Sequence, residues 1–358
     1  SSRRSDRVAD WRERRSKVGV IRQLGRLTRT VPLAGPEACA IAVYMEPSGA
    51  ELDQPGHERP AREQGHEGVA CVDDAARAVV LYCALWQQRH DPAARAAAAG
   101  LLRFLAYMQE ADGRFANFIF DWTGQRNRTG LTSYPGGPAW QARAVHALAC
   151  GVATFGDSEW EERFQRGVRW LDDSIPYLDV RAVAVLAALQ HWRATRSADS
   201  ADRIVVWAEA IAGQSQDGIL LDAAGVAPPH LWGHLQEAAL AAAGHALARP
   251  DLVACAQASA DALLVPAVDK RLPVDSLLPF DVSCVAAGLT GVANATGCQQ
   301  YADAAARARA WFSGRNAARA PVYDRERGLV YDGVDEGRVS RNSGAESNVE
   351  GGLALCAA

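Results

Sequence analysis

Adjacent carboxylates at the start of an apolar helix are the first residues in this chain whose types and spacing suit chemistry. Asp73 and Asp74 lie in the run CVDDAARA, residues 71–78. Successive helix positions point about 100° apart, so one or both acids can face a hollow at the helix start. Burial would raise the pKa of one of them and make it a proton donor. The structural alternative has both acids satisfying the free N–H groups of the first turn, with Arg77 paired to Asp73 four residues on. A second acidic set lies near the other end of the sequence. Asn342, Glu346 and Glu350 recur at i, i+4 and i+8, on one drifting face of a terminal helix. If that helix is an inner one, two glutamates beside Asn348, Gly344, Gly351 and Gly352 are costly unless paired or functional. Between the two sets runs DGRFANFIFDWTG, residues 112–124. Gly113 makes a turn, and Phe115, Phe118, Phe120 and Trp122 follow in an extended run, as in a short strand or an ordered loop over a cleft. Trp122 with Asn117 and Asp121 suits a sugar, because an aromatic face stacks on the C–H face of a pyranose while amides and carboxylates take its hydroxyls. The same run also reads as an aromatic plug closing one end of the fold.

The terminal array admits a rival chemistry. Asn342, Glu346 and Glu350 could hold Mg²⁺ in a manner similar to the metal-binding helices of terpene synthases, although the middle position there is a hydroxyl residue. CVDD likewise keeps the last two acids of the Asp-x-Asp-Asp motif of protonating terpene cyclases, with Cys71 in the first acid's place. Other signals are weaker. His230 and His234 have the four-residue spacing of a helical metal pair, but no HExxH glutamate follows, so a loop running into a helix beside Trp232 is the simpler reading. No metal site is expected among them. GxSxG, P-loop and GxGxxG signatures are absent.

The elements that must position these residues are helical. Alanine dominates long stretches, and apolar residues recur at helical spacing. A helix is expected near 5–28, then an irregular stretch at 45–66 carrying Pro47, Gly49, Pro55, Gly56 and Pro60, read as a lid. Further helices are expected near 69–89, 92–110, 138–155, 158–174, 179–195, 199–213, 231–247, 250–264, 280–296, 299–313 and 343–357. Asp91-Pro92, Asp157-Ser158 and Pro250-Asp251 supply start signals. Several of these helices, 179–190 above all, are apolar on more than one face, as an inner helix between neighbours must be. Twelve helices in short-looped antiparallel pairs predict an all-α fold, an (α/α)6 toroid or six-hairpin barrel over 67–358, with 1–66 as an N-terminal helix and lid packed on it. Loops 112–137, 214–230 and 314–342 would build a site at one end. A helical solenoid or bundle is the alternative, since no self-similar repeat is found.

Composition closes off other classes. Hydrophobic residues make up 49% and charged residues 22%, ordinary for a globular chain, and a net charge of −4 gives no basic footprint for nucleic acid. No uninterrupted apolar run reaches transmembrane length and the start is polar, so no membrane partner is expected. Eight cysteines without a CxxC pair read as small buried hydrophobes in a reducing cytoplasm.

Taken together, the DDxARA helix, the DGRFxNF segment (112–118) and the run WFxGRN (311–316), Tyr323-Asp324, Tyr331-Asp332-Gly333 and Asn342 to Ser347 resemble a family of helical-toroid proteins. These are often found as, or fused to, glycosyltransferases and are grouped with the six-hairpin glycosidase-like proteins. The resemblance covers roughly residues 68–356 and implies a carbohydrate context. Two departures set this chain apart: Ala75 stands where Asn is expected, and Ser133-Tyr134-Pro135 where Ser and an acidic pair are expected. The expectation is a glycoside hydrolase-like enzyme using two carboxylates on opposite sides of a central funnel, without a cofactor, on a small-molecule or oligosaccharide substrate. Asp74 and Glu346 are the expected pair, with Glu350, Asp73 and Asp332 in reserve. Trp122, Asn117, Asp121, Trp140, Tyr331, Arg341 and Asn342 would position the sugar. The alternatives are a terpene cyclase or synthase, for which Mg²⁺ would be needed, and a non-catalytic carbohydrate-binding toroid.

Overall fold

Proline at the first turn and left-handed residues past the last set many of the helix ends. In the computed structural model, which describes residues 19–44, 67–172, 175–270, 272 and 276–356, the helices are α1 (Arg22–Leu27), α2 (Val72–Arg89), α3 (Pro92–Met108), α4 (Pro138–Phe155), α5 (Ser158–Val168), α6 (Leu178–Thr195), α7 (Ala198–Ala212), α8 (Gln236–Ala246), α9 (Pro250–Asp269, with a π turn at Ala260–Leu264), α10 (Pro279–Thr296), α11 (Gln299–Arg309) and α12 (Ala345–Cys356). Asp91 caps α3 by accepting from the Ala93 N–H at 2.9 Å, with Pro92 at the first position. Gly156 ends α4 and Gly297 ends α10 at φ 73° and 71°, angles glycine adopts without penalty. Most of the expected helix that begins near residue 5, and the expected lid at 45–66, lie outside the described residues.

Helices α2, α4, α6, α8, α10 and α12 pack in that order and α12 returns to α2, so the ring is closed, which a solenoid is not. α3, α5, α7, α9 and α11 each back onto the inner helix that precedes them. Inner helices are buried over most of their surface, as in α6, where Val180 to Val185 and Ala187 to Leu189 are all covered; outer helices are covered on one stripe, as at Trp160 and Phe164 of α5. Alanine and glycine let the inner helices approach closely. A Cβ on Gly352 of α12 would meet Leu81 of α2 at 2.5 Å.

The sixth outer position is filled from the other end of the chain. α1 packs on α12, so the first and last described helices form the closing pair. Short strands fasten it: β1 (Thr28–Thr30) pairs with β2 (Cys39–Ile41), Ala42 bridges to Ala70, and β3 (Ala70–Cys71) pairs with β4 (Phe118–Ile119). The described part of the N-terminal segment is thus built into the ring. Among the described residues one element, α9, is long and apolar enough by composition to cross a bilayer; here it is an outer helix packed on α8.

All six inner helices begin at the same end of the ring, and five carry acids in their first turn: Asp73 and Asp74, Asp179, Glu237, Asp281 and Glu346. Helix N-termini favour negative charge. The connections before each inner helix lie at this end and form the mouth of the funnel.

Candidate functional site

Arg77 is the hub of the mouth. Its Nη2 donates to Asp73 Oδ2 at 3.0 Å, Asp74 Oδ1 at 2.7 Å and Glu346 Oε2 at 3.0 Å, and its Nη1 to Glu350 Oε1 at 2.8 Å. Asp73 also pairs with Arg143 of α4. Both guanidiniums lie over the ring of Phe280, 5.0 and 5.2 Å from its centroid, which adds cation–π attraction. A helix turn separates Asp73 or Asp74 from Arg77, and another separates Glu346 from Glu350, so local spacing aims both pairs at one point once α2 and α12 are neighbours.

Four carboxylates share two cations, and burial decides which can hold a proton. Burial raises the pKa of Asp74 to about 6, with Arg77 opposing and the charges of Asp73 and Glu346 adding to the rise. Burial also raises Glu350, against Arg77. For Asp73 burial is outweighed by Arg143 and Arg77, and its pKa falls below the usual carboxylate value. Glu346 is the open member, its side chain 42% exposed, whereas that of Asp74 is 5% exposed. Asp73, Asp74, Arg77 and Glu346 line a mouth cavity of about 420 Å³ together with Asn117, Phe118, Thr132, Tyr44, Leu278, Asp332 and Ser347.

Two expected residues act here by positioning the acids. Asn117 clips the start of α2: its Oδ1 accepts from Asp73 N–H at 3.1 Å, its carbonyl from Val72 N–H at 2.8 Å, and its Nδ2 donates to Thr132 O at 2.9 Å. Asp332 does the same for α12, where its Oδ1 accepts from Gly344 N–H at 3.0 Å and Ser347 Oγ at 2.7 Å. Asn117's loop is itself held from beneath by Gln141, fully buried, which accepts from Phe115 N–H and donates to the carbonyls of Gly113 and Gly167.

Several expectations need correction. Asp74 and Glu346 are not on opposite sides of the funnel: ring closure makes α2 and α12 neighbours, and one guanidinium nitrogen binds both. α12 starts at Ala345, so Asn342 precedes the helix and is not on the face of Glu346 and Glu350; its carbonyl accepts from Asp332 N–H. The space between the two glutamates is filled by Arg77, and among the described residues no three His, Cys, Asp or Glu side chains are grouped to hold a metal ion. Asp121 makes a local turn with Thr123, and Trp122 packs on the core, both away from the mouth cavity. Trp140 is buried and donates its Nε1–H to Phe115 O at 2.9 Å, a packing role. Tyr331 and Arg341 line a different cavity of about 590 Å³ with Asp324.

A second charged group at the mouth carried too weak a signal in the sequence. His234 is fully buried between Asp222 Oδ1 at 2.7 Å and Glu237 Oε1 at 3.1 Å, and Glu237 also accepts from Ser259 Oγ at 2.5 Å. Burial disfavours its charge, but Glu237 and Asp222 outweigh burial and push its pKa up to about 10. The folded-state value is raised, so the stability His234 contributes is full below its unfolded pKa of about 6.5 and is lost as pH rises toward 10. Urea unfolding from pH 6.5 to 10 is expected to show that loss, with a His234→Gln variant showing a flatter profile. His230, four residues before His234, lies in the loop that enters α8 beside Trp232, as expected, and stacks on that indole with centroids 3.6 Å apart. Arg143 and Phe280 gave no signal, because an arginine or phenylalanine within a helix looks alike whether it faces a funnel or solvent.

No family model matches the chain, and no curated protein matches it in sequence. Solved structures do match. The cellobiose 2-epimerase of Spirochaeta thermophila DSM 6192 is 14% identical, with 89% of this chain and 90% of that one covered at a TM-score of 0.64. A D-mannose isomerase is 14% identical over 90% and 93%, at 0.66. The family 9 endoglucanase J30 is 15% identical over 95% and 84%, at 0.59. The closed ring of six helix pairs, matched along almost its whole length by these structures, makes this chain an (α/α)6 toroid, a six-hairpin barrel.

Proposed function

We propose that the chain is a carbohydrate-active enzyme of the glycoside-hydrolase kind, working in the mouth cavity with Asp74 as proton donor and Glu346 as the second carboxylate. One observation carries this reading: a buried carboxyl raised to about 6 and a half-exposed carboxylate line the same 420 Å³ cavity. A donor is most effective when its pKa lies near the working pH. Contacts of 2.7 and 3.0 Å to one nitrogen keep the two oxygens within about 6 Å, nearer the spacing for direct attack by the second carboxylate than the roughly 6.5–9.5 Å that admits a water. Asp73, Asn117, Thr132 and Asp332 offer groups for hydroxyls, and Tyr44 and Phe118 offer aromatic faces. Both catalytic groups come from the chain itself, so the reading calls for no cofactor. The solved neighbours are named for action on sugars, which supports a small or oligomeric saccharide as the substrate.

An isoprenoid substrate predicts an apolar, aromatic-lined pocket with acids only at its mouth. The acidic cavity here is mixed in polarity, and the apolar space behind Arg77 has one aromatic hydrocarbon ring, Phe280, in its lining. The sugar reading is favoured. We also place the chain in the cytoplasm, which its eight free thiols support.

The test is a panel of defined oligosaccharides, aryl glycosides and free sugars, with products separated by chromatography. Cleavage is expected, with kcat/KM falling about tenfold per pH unit above 6, because the donor must hold its proton. Interconversion of free sugars without cleavage would replace hydrolysis by isomerisation. Binding without turnover across the panel would leave a lectin-like toroid.

A further inference from the structure

The bore of the ring holds a second cavity, of about 360 Å³, behind Arg77 and Phe280. Its walls are mainly apolar. Val80, Leu186, Leu235 and Leu353 remain partly exposed although they belong to, or directly precede, inner helices, because they face this unfilled space. An inner helix of an ordinary core would cover them.

The cavity runs along α10 from Phe280 to Thr290 and the exposed Asn294, and at that far end it meets Arg309 of α11. Arg309 donates its Nε–H to Ala354 O at 2.8 Å and its Nη2–H to Thr290 Oγ1 at 2.6 Å. Among the described residues no carboxylate lies within ion-pair distance of it, unlike Arg77 at the other end, which holds four. Burial without an anion lowers the pKa of Arg309 below its ordinary value. A partly desolvated guanidinium beside an apolar cavity, with neutral partners only, is matched by an anion bearing a hydrocarbon chain. The competing reading is that Arg309 serves only to cap the carbonyls ending α12.

We propose that the bore binds an amphiphilic anion, with its hydrocarbon chain between the inner helices and its head group on Arg309. An apolar cavity of about 150 Å³ holds benzene, so this one accommodates on the order of a dozen carbons. The bore meets the acidic mouth at Arg77, which lines both cavities, and at Glu350, but the head-group position at Arg309 is not part of the mouth lining and does not rest on the sugar chemistry proposed above.

Calorimetric titration of the full chain with decanoate, decyl phosphate, decanol and inorganic phosphate, each below its self-association limit, tests the idea. One or both amphiphilic anions are expected to bind at least tenfold more tightly than decanol, and inorganic phosphate not to bind; the tighter head group distinguishes a fatty-acid source from an alkyl phosphate. Arg309→Gln should remove the preference while leaving decanol binding unchanged. Ala287→Trp should block the bore and abolish binding of every chain, with Leu186→Phe as the milder filler should the tryptophan variant not fold. Equal affinity for decanol and the anions, binding that survives the fillers, or no binding to the folded parent overturns the proposal. So does an Arg309→Gln variant that changes stability alone, since a capping residue would do just that.

Discussion

Asp74→Asn is expected to lower kcat on any substrate the panel identifies by about 10²–10⁴-fold while changing substrate affinity less than threefold, the signature of a lost proton donor. The asparagine keeps the shape and an acceptor for Arg77 but has no proton to give. Glu346→Gln should cost a similar factor, and because its side chain is open to the cavity an external anion such as azide or formate should restore part of the rate if the glutamate attacks carbon directly. Rates for both variants within threefold of the parent would remove these residues from the chemistry and leave the ring itself untouched. A fall in affinity with unchanged kcat would move them from catalysis to binding.

The second large effect concerns the fold and the site together. Arg77→Met is expected to destabilise the chain by about 3–5 kcal/mol, the usual result of deleting one partner of a buried ion cluster. Asp73 would keep Arg143, but Asp74, Glu346 and Glu350 would be left with no direct cation. The deficit should depend on pH in a defined direction. Burial already raises Asp74 and Glu350, and without the opposing guanidinium their folded-state pKa values rise further, so the variant is least impaired below the unfolded values near 4 and loses stability as pH climbs from there toward the raised values. Urea unfolding at pH 5 and pH 8 measures it. Arg77→Lys should recover only part of the loss, since an ammonium is a point donor and cannot replace the planar fork that now binds four carboxylates. An Arg77→Met variant as stable as the parent at pH 8 would show that the cluster is not a buried ionic network.

Helix identity was legible because it is written locally. Alanine-rich runs, Asp91-Pro92 and the glycines past α4 and α10 act over one or two turns, and the expected spans for α4 and α6 match the observed ones closely. The expected turn-to-helix start near 231 was early. Residues 231–235 instead form the turn that delivers His234 to Asp222, and α8 begins at Gln236. Among the candidate site residues, Asp73, Asp74, Glu346 and Glu350 come together because each pair sits one turn from a shared target. Trp122, Trp140, Tyr331 and Arg341 were chosen by residue type, and type does not tell a sugar platform from a wedge such as Trp140, whose Nε1–H is spent on Phe115 O.

The sequence by itself determined which segments are helices, that the one over 179–190 must be inner, and which turns of α2 and α12 carry acid. Only the tertiary structure decided that α2 and α12 are neighbours, that one arginine gathers four carboxylates, and that burial raises Asp74 while Arg143 and Arg77 together lower Asp73. The reason is one of range. Helix spacing fixes directions over a few residues, whereas a carboxylate's pKa depends on charges and burial supplied by segments up to 273 positions away, as Arg77 and Glu350 are.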